Sequence, residues 1–395
     1  MKKCNGMVFD LPNNRCSPTT LTGTVVTSRD QLNTYAHEWN ELLASSRANT
    51  LFLTWEWVIT WLDVVYPDAP LLIVAVREGD GRLVAIAPFY RSDLHLLGLI
   101  KYRSLRIIGD CQCGGEYSDI IIRSGFEDAA MMCVARELVT HQDAWDCMWI
   151  YNVAGWTGAR ERFTTMSEEL GLHLHDRVCK FSSVRLPATH EAYLNLLSKK
   201  RRGYIRRMAR RLHKSYSVEL TQCDNYDELP VQLAKLFELH RTHWESVGQV
   251  GSFVRRPPMK RFYESFAPIA LSKGWLRLYV LKVDGVPQAA QYGYVYNGIY
   301  HAVQEGYNPN VFEGIGNVLR NLLVRKCIEE GLKEYDFLGG FSAHKRLWGA
   351  EPRQGYAFFI GRKSPKNHLL FWKKIWPSGR FIQEDRPANQ GRSHD

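Results

Sequence analysis

The chain has 395 residues, 45% of them apolar and 23% charged, with a formal net charge of +10. That balance fits a globular protein with chain enough for two or three domains and a sizeable core. It excludes a collagen-like or disordered chain, and no apolar run approaches the roughly 18 residues of a transmembrane helix.

Residues 1–18 show no hydrophobic period and are expected to form a loose arm. Lys2 and Lys3 are followed by Cys4-Asn5-Gly6 rather than by the apolar segment of a secretory leader. Residues 21–28 alternate as a strand does. Residues 30–45 carry Leu32, Tyr35, Trp39, Leu42 and Leu43 at helical spacing. A tryptophan-rich helix is expected over 52–65. Strands over 71–77 and 82–90 are joined by Glu78-Gly79-Asp80-Gly81, a hairpin signal. Further strands are expected at 105–108, 117–122, 147–153 and 172–185, with helices at 127–140 and 161–170.

The second half repeats this order. A strand at 218–222 precedes helices at 229–247 and 259–272, and strands at 276–283 and 288–296 meet at Asp284-Gly285. An aromatic strand then runs into Glu305-Gly306-Tyr307, and Gly314-Ile315-Gly316-Asn317 opens a helix carrying Val318, Leu319, Leu322 and Leu323. That helix stops at Gly331, where a C-terminal glycine relieves positive φ. Residues 335–338 form a strand into Gly339-Gly340. The pattern implies two like domains, each mixed α/β, meeting near residues 181–190. The expected division is an arm at 1–18, domains at 19–185 and 186–363, and a C-terminal helix and flexible tail at 364–395.

Two features of this map bear on chemistry. The glycines at 314 and 316 let a ligand approach the mouth of a helix, where free N–H groups and the dipole favour an anion such as phosphate. Lys199, Lys200, Arg201, Arg202, Arg206, Arg207, Arg210, Arg211 and Lys214 place nine positive charges in one tract, leaving +1 for the rest of the chain. On a helix, Arg202, Arg206 and Arg210 share a face. This tract reads as a solvated face packed along aliphatic stems or as a site for substrate or cofactor phosphates. RNA or an anionic membrane surface would also suit it.

Nine cysteines are scattered without a framework, and Cys111-Gln112-Cys113 has no second pair at zinc spacing, so a reducing, cytoplasmic setting is expected. No metal site is expected, since His240 and His243 have no third ligand at metal spacing. Asp119 reads equally as a substrate contact or a turn cap. Hydrolase, P-loop and zinc-protease motifs are absent.

Four stretches carry a family resemblance: Phe52-Leu53-Thr54-Trp55-Glu56-Trp57 with the hairpin behind it, the basic tract from Ser198, Leu239-His240-Arg241-Thr242-His243-Trp244, and Asp336-Phe337-Leu338-Gly339 followed by Lys345 and Trp348. On these residues the chain resembles a GNAT-fold N-acyltransferase of the CelD/BcsL-like (BioF-like acetyltransferase) branch, related to the Fem aminoacyltransferases. The resemblance covers roughly residues 20–360 and implies two tandem GNAT-like domains, each a mixed sheet flanked by helices. It further implies acyl transfer from acyl-CoA to an amine on a small molecule or glycan (an amino sugar, amino acid or related metabolite), in envelope polysaccharide or secondary-metabolite synthesis. A Fem-type enzyme would instead use aminoacyl-tRNA and contact it through the basic helix, and a non-catalytic relative would bind a partner or touch a membrane peripherally. His344-Lys345 stands where Fem enzymes carry Phe-Lys. Val311 stands where GNAT enzymes carry the Arg or Gln that precedes the glycines.

The resemblance assigns Asp336 as base or acceptor-orienting group, with hydrogen bonding to nearby backbone as the alternative role. It assigns Lys345 to stabilise carbonyl or phosphate charge, with a surface ion pair as the alternative. Gly314, Ile315, Gly316 and Asn317 are the expected donor-binding loop. Arg202, Arg206, Tyr307 and Trp348 are the expected substrate contacts.

Overall fold

The computed structural model describes residues 20–372 and 382–384; the expected loose arm at 1–18 and most of the tail lie outside them. The first half contains strands β1 (Leu21–Val26), β2 (Leu71–Glu78), β3 (Leu83–Leu96), β4 (Ile100–Ile107), β5 (Ile121–Ile122), β6 (Cys147–Ala154) and β7 (His173–Arg185). Its helices are α1 (Arg29–Asn33), α2 (Ala36–Ala44), α3 (Trp55–Val64), α4 (Glu127–Thr140) and α5 (Ala159–Glu169). The second half contains β8 (Val218–Gln222), β9 (Leu276–Val283), β10 (Val286–Tyr296), β11 (Ile299–Tyr307), β12 (Glu334–Gly339), β13 (Glu351–Gly361) and β14 (Ile382–Glu384). Helices α6 (His190–Leu196), α7 (Lys199–Ser215), α8 (Leu229–Ser246), α9 (Ser252–Arg255), α10 (Pro257–Ser272), α11 (Ile315–Glu329), α12 (Ala343–Arg346) and α13 (Pro365–Trp372) surround it.

Three expected elements differ. The helix over 30–45 is two helices, α1 and α2, interrupted at Thr34 and Tyr35. The helix over 52–65 begins as a short 3-10 turn; Thr54 then turns extended and caps α3 by accepting from the Trp57 N–H at 3.3 Å. The strand over 117–122 shrinks to β5, because Tyr117 sits at φ 60°, a left-handed conformation that cannot continue a strand.

The strands form one mixed sheet in the order β1-β2-β3-β4-β6-β13-β7-β12-β11-β10-β9-β8. Each half has the same plan: an antiparallel run, a helical crossover (α4 or α11), and a parallel pair, β4 with β6 and β11 with β12. Pairing crosses the middle of the chain, since β13 lies antiparallel between β6 and β7, and β7 pairs with β12. The core crosses it too. Trp57 of α3, fully buried, meets Phe262 and Phe266 of α10 edge-on at 4.6 and 5.0 Å. A second core packs α7 and α11 against the other face, through Ile205, Met208, Leu319 and Leu323. The arginine-rich α7 is thus amphipathic; its buried row is what seats it beside α11.

Candidate active site

Strands β11 and β12 pair only at Ile299–His301 with Glu334–Asp336 and then part. Two local features drive them apart. A bulge interrupts β11 between the partners of Tyr292 and Gly293, and Leu338 takes φ 60°, an uncommon backbone for a branched side chain. The opening is a cleft of about 500 Å³, lined on one side by Ala302–Glu305 and on the other by Phe337–Gly339. In the first half, β4 and β6 part in the same way after Leu105 and Met148. There buried Arg106 spans the gap, its guanidinium 5.8 Å from the Trp149 ring and 5.1 Å from that of Tyr151.

Glu116 enters the cleft from the first half of the chain. A Cβ on Gly115 would strike the Gly109 carbonyl, and one on Gly339 would lie 2.7 Å from Glu116 Oε1. Glycine at both positions therefore allows this loop to bring a carboxyl against β12. Glu116 Oε2 is buried and has no hydrogen-bond partner among the described residues. Burial and the nearby Asp336 charge push its carboxyl up to about 8, against the opposing pull of Lys345. A carboxyl that titrates near neutrality in a cleft suits proton transfer.

Arg320 of α11 clamps Glu305 with one end of its guanidinium and donates to His344 Nε2 at 2.9 Å with the other. Burial would raise the Glu305 carboxyl, yet the Arg320 charge and hydrogen bonds hold it below the usual range. Burial and Arg320 push His344 down to about 4, so it is a neutral acceptor. His243 lines the cleft with its Nδ1 buried and unpartnered, and burial depresses its pKa. Its ring lies 4.1 Å from that of Tyr307, tilted by 36°. Tyr307 in turn covers Gly316, where a Cβ would lie 2.7 Å from the ring. Tyr307 thus stands between the cleft wall and the mouth of α11.

The residues singled out in the sequence divide around this arrangement. Gly314 caps α11 at φ 85° without any side-chain cap; the Ile315 N–H already donates to the Phe312 carbonyl at 3.2 Å and that of Asn317 to Gly314 at 2.9 Å, which leaves the Gly316 N–H for another acceptor. Ile315 is buried in the core, and Asn317 accepts from Arg201 at 2.7 Å. Lys345 lines the cleft, but its ammonium donates to the carbonyls of Phe337 at 2.7 Å and Gly340 at 3.1 Å, and to that of Gly339. Those bonds hold the turn where β12 leaves its partner. Asp336 faces elsewhere. It is 2% exposed, accepts from the Tyr117 hydroxyl at 2.6 Å and from the Leu338 N–H at 2.8 Å, and lies 3.0 Å from His301 Nδ1. Asp336 and Lys345 are thus not brought to one cleft.

Arg202 donates to Asn195 at 2.8 Å, and Arg206 pairs with Glu191, both on the side of α6. Trp348 is fully buried beneath Arg201 and Arg320, 4.6 and 5.3 Å from its ring. Tyr307 alone of the four expected substrate contacts borders the cleft wall. Asp119 is held by Arg162 and Thr157 in a buried cluster. His240 accepts from the Trp244 N–H at 3.0 Å, and burial pushes it down to about 4. Among the described residues no His, Cys, Asp and Glu group could hold a metal. Glu116, His243, Glu305 and Arg320 escaped sequence reasoning as site residues. The signal for Glu116 was its place directly after Gly114-Gly115.

Comparison with known proteins fits this geometry. Residues 199–346 match the family described as an acetyltransferase (GNAT) domain. No curated protein matches the chain. The crystal structure of FemX is similar with a TM-score of 0.60 at 11% identity, over 86% of this chain and 98% of that one. A conserved protein of unknown function from Bacteroides thetaiotaomicron VPI-5482 is similar with a TM-score of 0.51 at 11% identity, over 83% and 97%. At such identities the likeness is one of fold. The second half of the chain thus carries a region that matches a GNAT acetyltransferase domain, within a mixed α/β architecture whose two halves share one plan, and the match supports an acyltransferase.

Proposed function

We propose that the protein is an N-acyltransferase that moves an acyl group from acyl-CoA to the amine of an amino sugar, amino acid or related metabolite. The observation that carries this reading is the carboxyl of Glu116, with its Oε2 unpartnered among the described residues and poised to titrate near neutrality, in the cleft between β11 and β12.

Each group has a part in that reaction. The Gly316 N–H receives a phosphate of the donor arm, aided by the helix dipole. The thioester lies in the gap between β11 and β12, where backbone freed from pairing is available to polarise its carbonyl. The acceptor binds beside Glu116 as the neutral amine, the form with a lone pair for attack, and its nitrogen passes a proton to Oε2 as it attacks. Nitrogen adds to the carbonyl carbon as it gives up that one proton, the C–S bond breaks to leave the neutral amide, and the departing thiolate takes the proton back from Glu116. Asp336 acts through Leu338 and Tyr117 as a positioning residue. Lys345 keeps the turn formed and its charge close to Glu116. Holding donor and acceptor in register within the cleft contributes to the acceleration.

The test is direct. Acetyl-CoA and longer acyl-CoA esters are incubated with a panel of amines, and free thiol is measured. Amine-dependent thiol release, with a matching rise in melting temperature on adding the CoA ester, supports the reading. Transfer from charged tRNA with none from any CoA ester would replace it by the Fem-type reaction.

A further inference from the structure

The exposed charge of α7 has no place in the reaction as described. Arg206 is the one cation of this helix in an ion pair among the described residues, with Glu191. Lys200, Arg207, Arg210, Arg211 and Lys214 are exposed. The helix is fixed against the donor mouth: the Tyr204 hydroxyl would lie 2.8 Å from a Cβ on Gly314, and Arg201 donates to Asn317 at 2.7 Å. Arg207 lies over the Tyr204 ring at 5.7 Å, and Arg211 over that of Phe312 at 5.8 Å. The cationic row therefore begins where a donor would enter.

We propose that α7 docks an acidic carrier protein that presents the acyl group as a phosphopantetheine thioester, an inference that rests on the acyltransferase reading above. CoA and such a carrier share the pantetheine arm and the thioester, and differ in what stands at the far end. Three observations select a protein at that end. The excess positive charge is concentrated on one helix, since the nine cations of this tract leave only +1 for the rest of the chain. A nucleic acid would meet a broader basic surface. The row is also bordered by apolar side chains. Leu196 is 60% exposed just before it, and Leu347 is 50% exposed in the segment where a Cβ on Gly349 would lie 3.2 Å from Leu197. Cations beside exposed leucines match an acidic amphipathic helix, whose attraction would raise the association rate. Finally, Val311, three residues before Gly314, packs among apolar side chains and offers no charge to a pyrophosphate, a group the carrier-bound arm lacks.

The reaction itself is unchanged: the amine attacks the same carbonyl carbon, the C–S bond breaks, and the carrier leaves with a free thiol. The experiment gives one acyl group to the full-length protein in two forms, as the CoA ester and on a bacterial fatty-acid acyl carrier protein. It compares the wild type with the doubly substituted Arg207→Glu/Arg210→Glu protein. The carrier is expected to give a kcat/KM at least tenfold above CoA. Charge reversal and 0.5 M salt are each expected to remove about tenfold of the carrier rate, the salt by screening, while CoA turnover stays within about twofold. Turnover of CoA with no preference for the carrier would overturn the docking inference alone. No transfer from either thioester would overturn the acyltransferase reading instead. Binding of tRNA that disappears on the same charge reversal would assign the helix to nucleic acid.

Discussion

Lys345 illustrates how one residue can join structure and chemistry. Its ammonium satisfies carbonyls left unpaired where β12 turns away, and it lowers the pKa of the Glu116 carboxyl. Lys345→Met keeps the stem and removes both effects. The variant should unfold at lower temperature, by about 1–3 kcal/mol for carbonyls left without donors. Without the positive charge Glu116 binds its proton more tightly, so the acid limb of the pH–rate profile should move to higher pH. A fall in rate with an unmoved limb would make Lys345 purely structural.

Glu116 also predicts a stability signature. The fold raises its pKa, so the protonated form is favoured; this contribution is full below the ordinary value of 4.5 and is lost as pH rises through about 8. Glu116→Gln, always neutral, should therefore gain in melting temperature over the wild type as pH rises from about 5 to about 9. Parallel melting curves across that range would show the carboxyl to be ordinary. The sequence did not point to Glu116, because its role arises only when loop 114–116 meets β12. Asp336 and Lys345 stood out in the sequence through the family resemblance around Gly339-Gly340. Their opposite orientations follow from the left-handed turn at Leu338, which no spacing rule reveals.

Among elements, α11 was the most legible. Its glycine mouth, apolar period and terminal Gly331 all appear in the chain as helix punctuation, and the helix runs from Ile315 to Glu329. The hairpins at Asp80-Gly81 and Asp284-Gly285 were equally plain. The short β5 and the broken first helix were not, since each depends on one residue's backbone rather than on a periodic pattern. Gly316 tests the helix mouth. A side chain there meets the Tyr307 ring, so Gly316→Val should weaken binding of an acyl-CoA by tenfold or more in calorimetry and cost about 1–3 kcal/mol of stability through overpacking. A folded variant with unchanged affinity would remove this loop from the donor site.

At the scale of the whole molecule, repeated element order revealed two like halves, whereas their interlocking is a long-range property. Strand β13 lies between β6 and β7, and α10 fills the core around Trp57. Residues 20–185 expressed alone would expose the edges of β6 and β7 and lose the partners of Trp57. We expect no cooperative unfolding transition from that fragment, and recovery of one when residues 186–372 are co-expressed. A sharp transition from the isolated fragment would show that the shared sheet is dispensable. The interlock also explains why a carboxyl from the first half can serve a cleft in the second. The two tandem units differ in their gaps: Arg106 and its aromatic neighbours occupy one, and the other is open.

The central claim is that Glu116 takes the proton from the acceptor amine. The measurement that tests it most directly is kcat/KM against pH for the wild type and Glu116→Gln, using an acceptor amine that titrates well below neutrality so that its own ionisation does not overlap. The wild-type rate should rise with pH and level off around a pKa of about 8. The variant should be slower by roughly a hundredfold or more, the usual range for loss of a general base, with a flat profile. A folded Glu116→Gln protein that keeps the wild-type rate and the wild-type pH dependence would contradict the account.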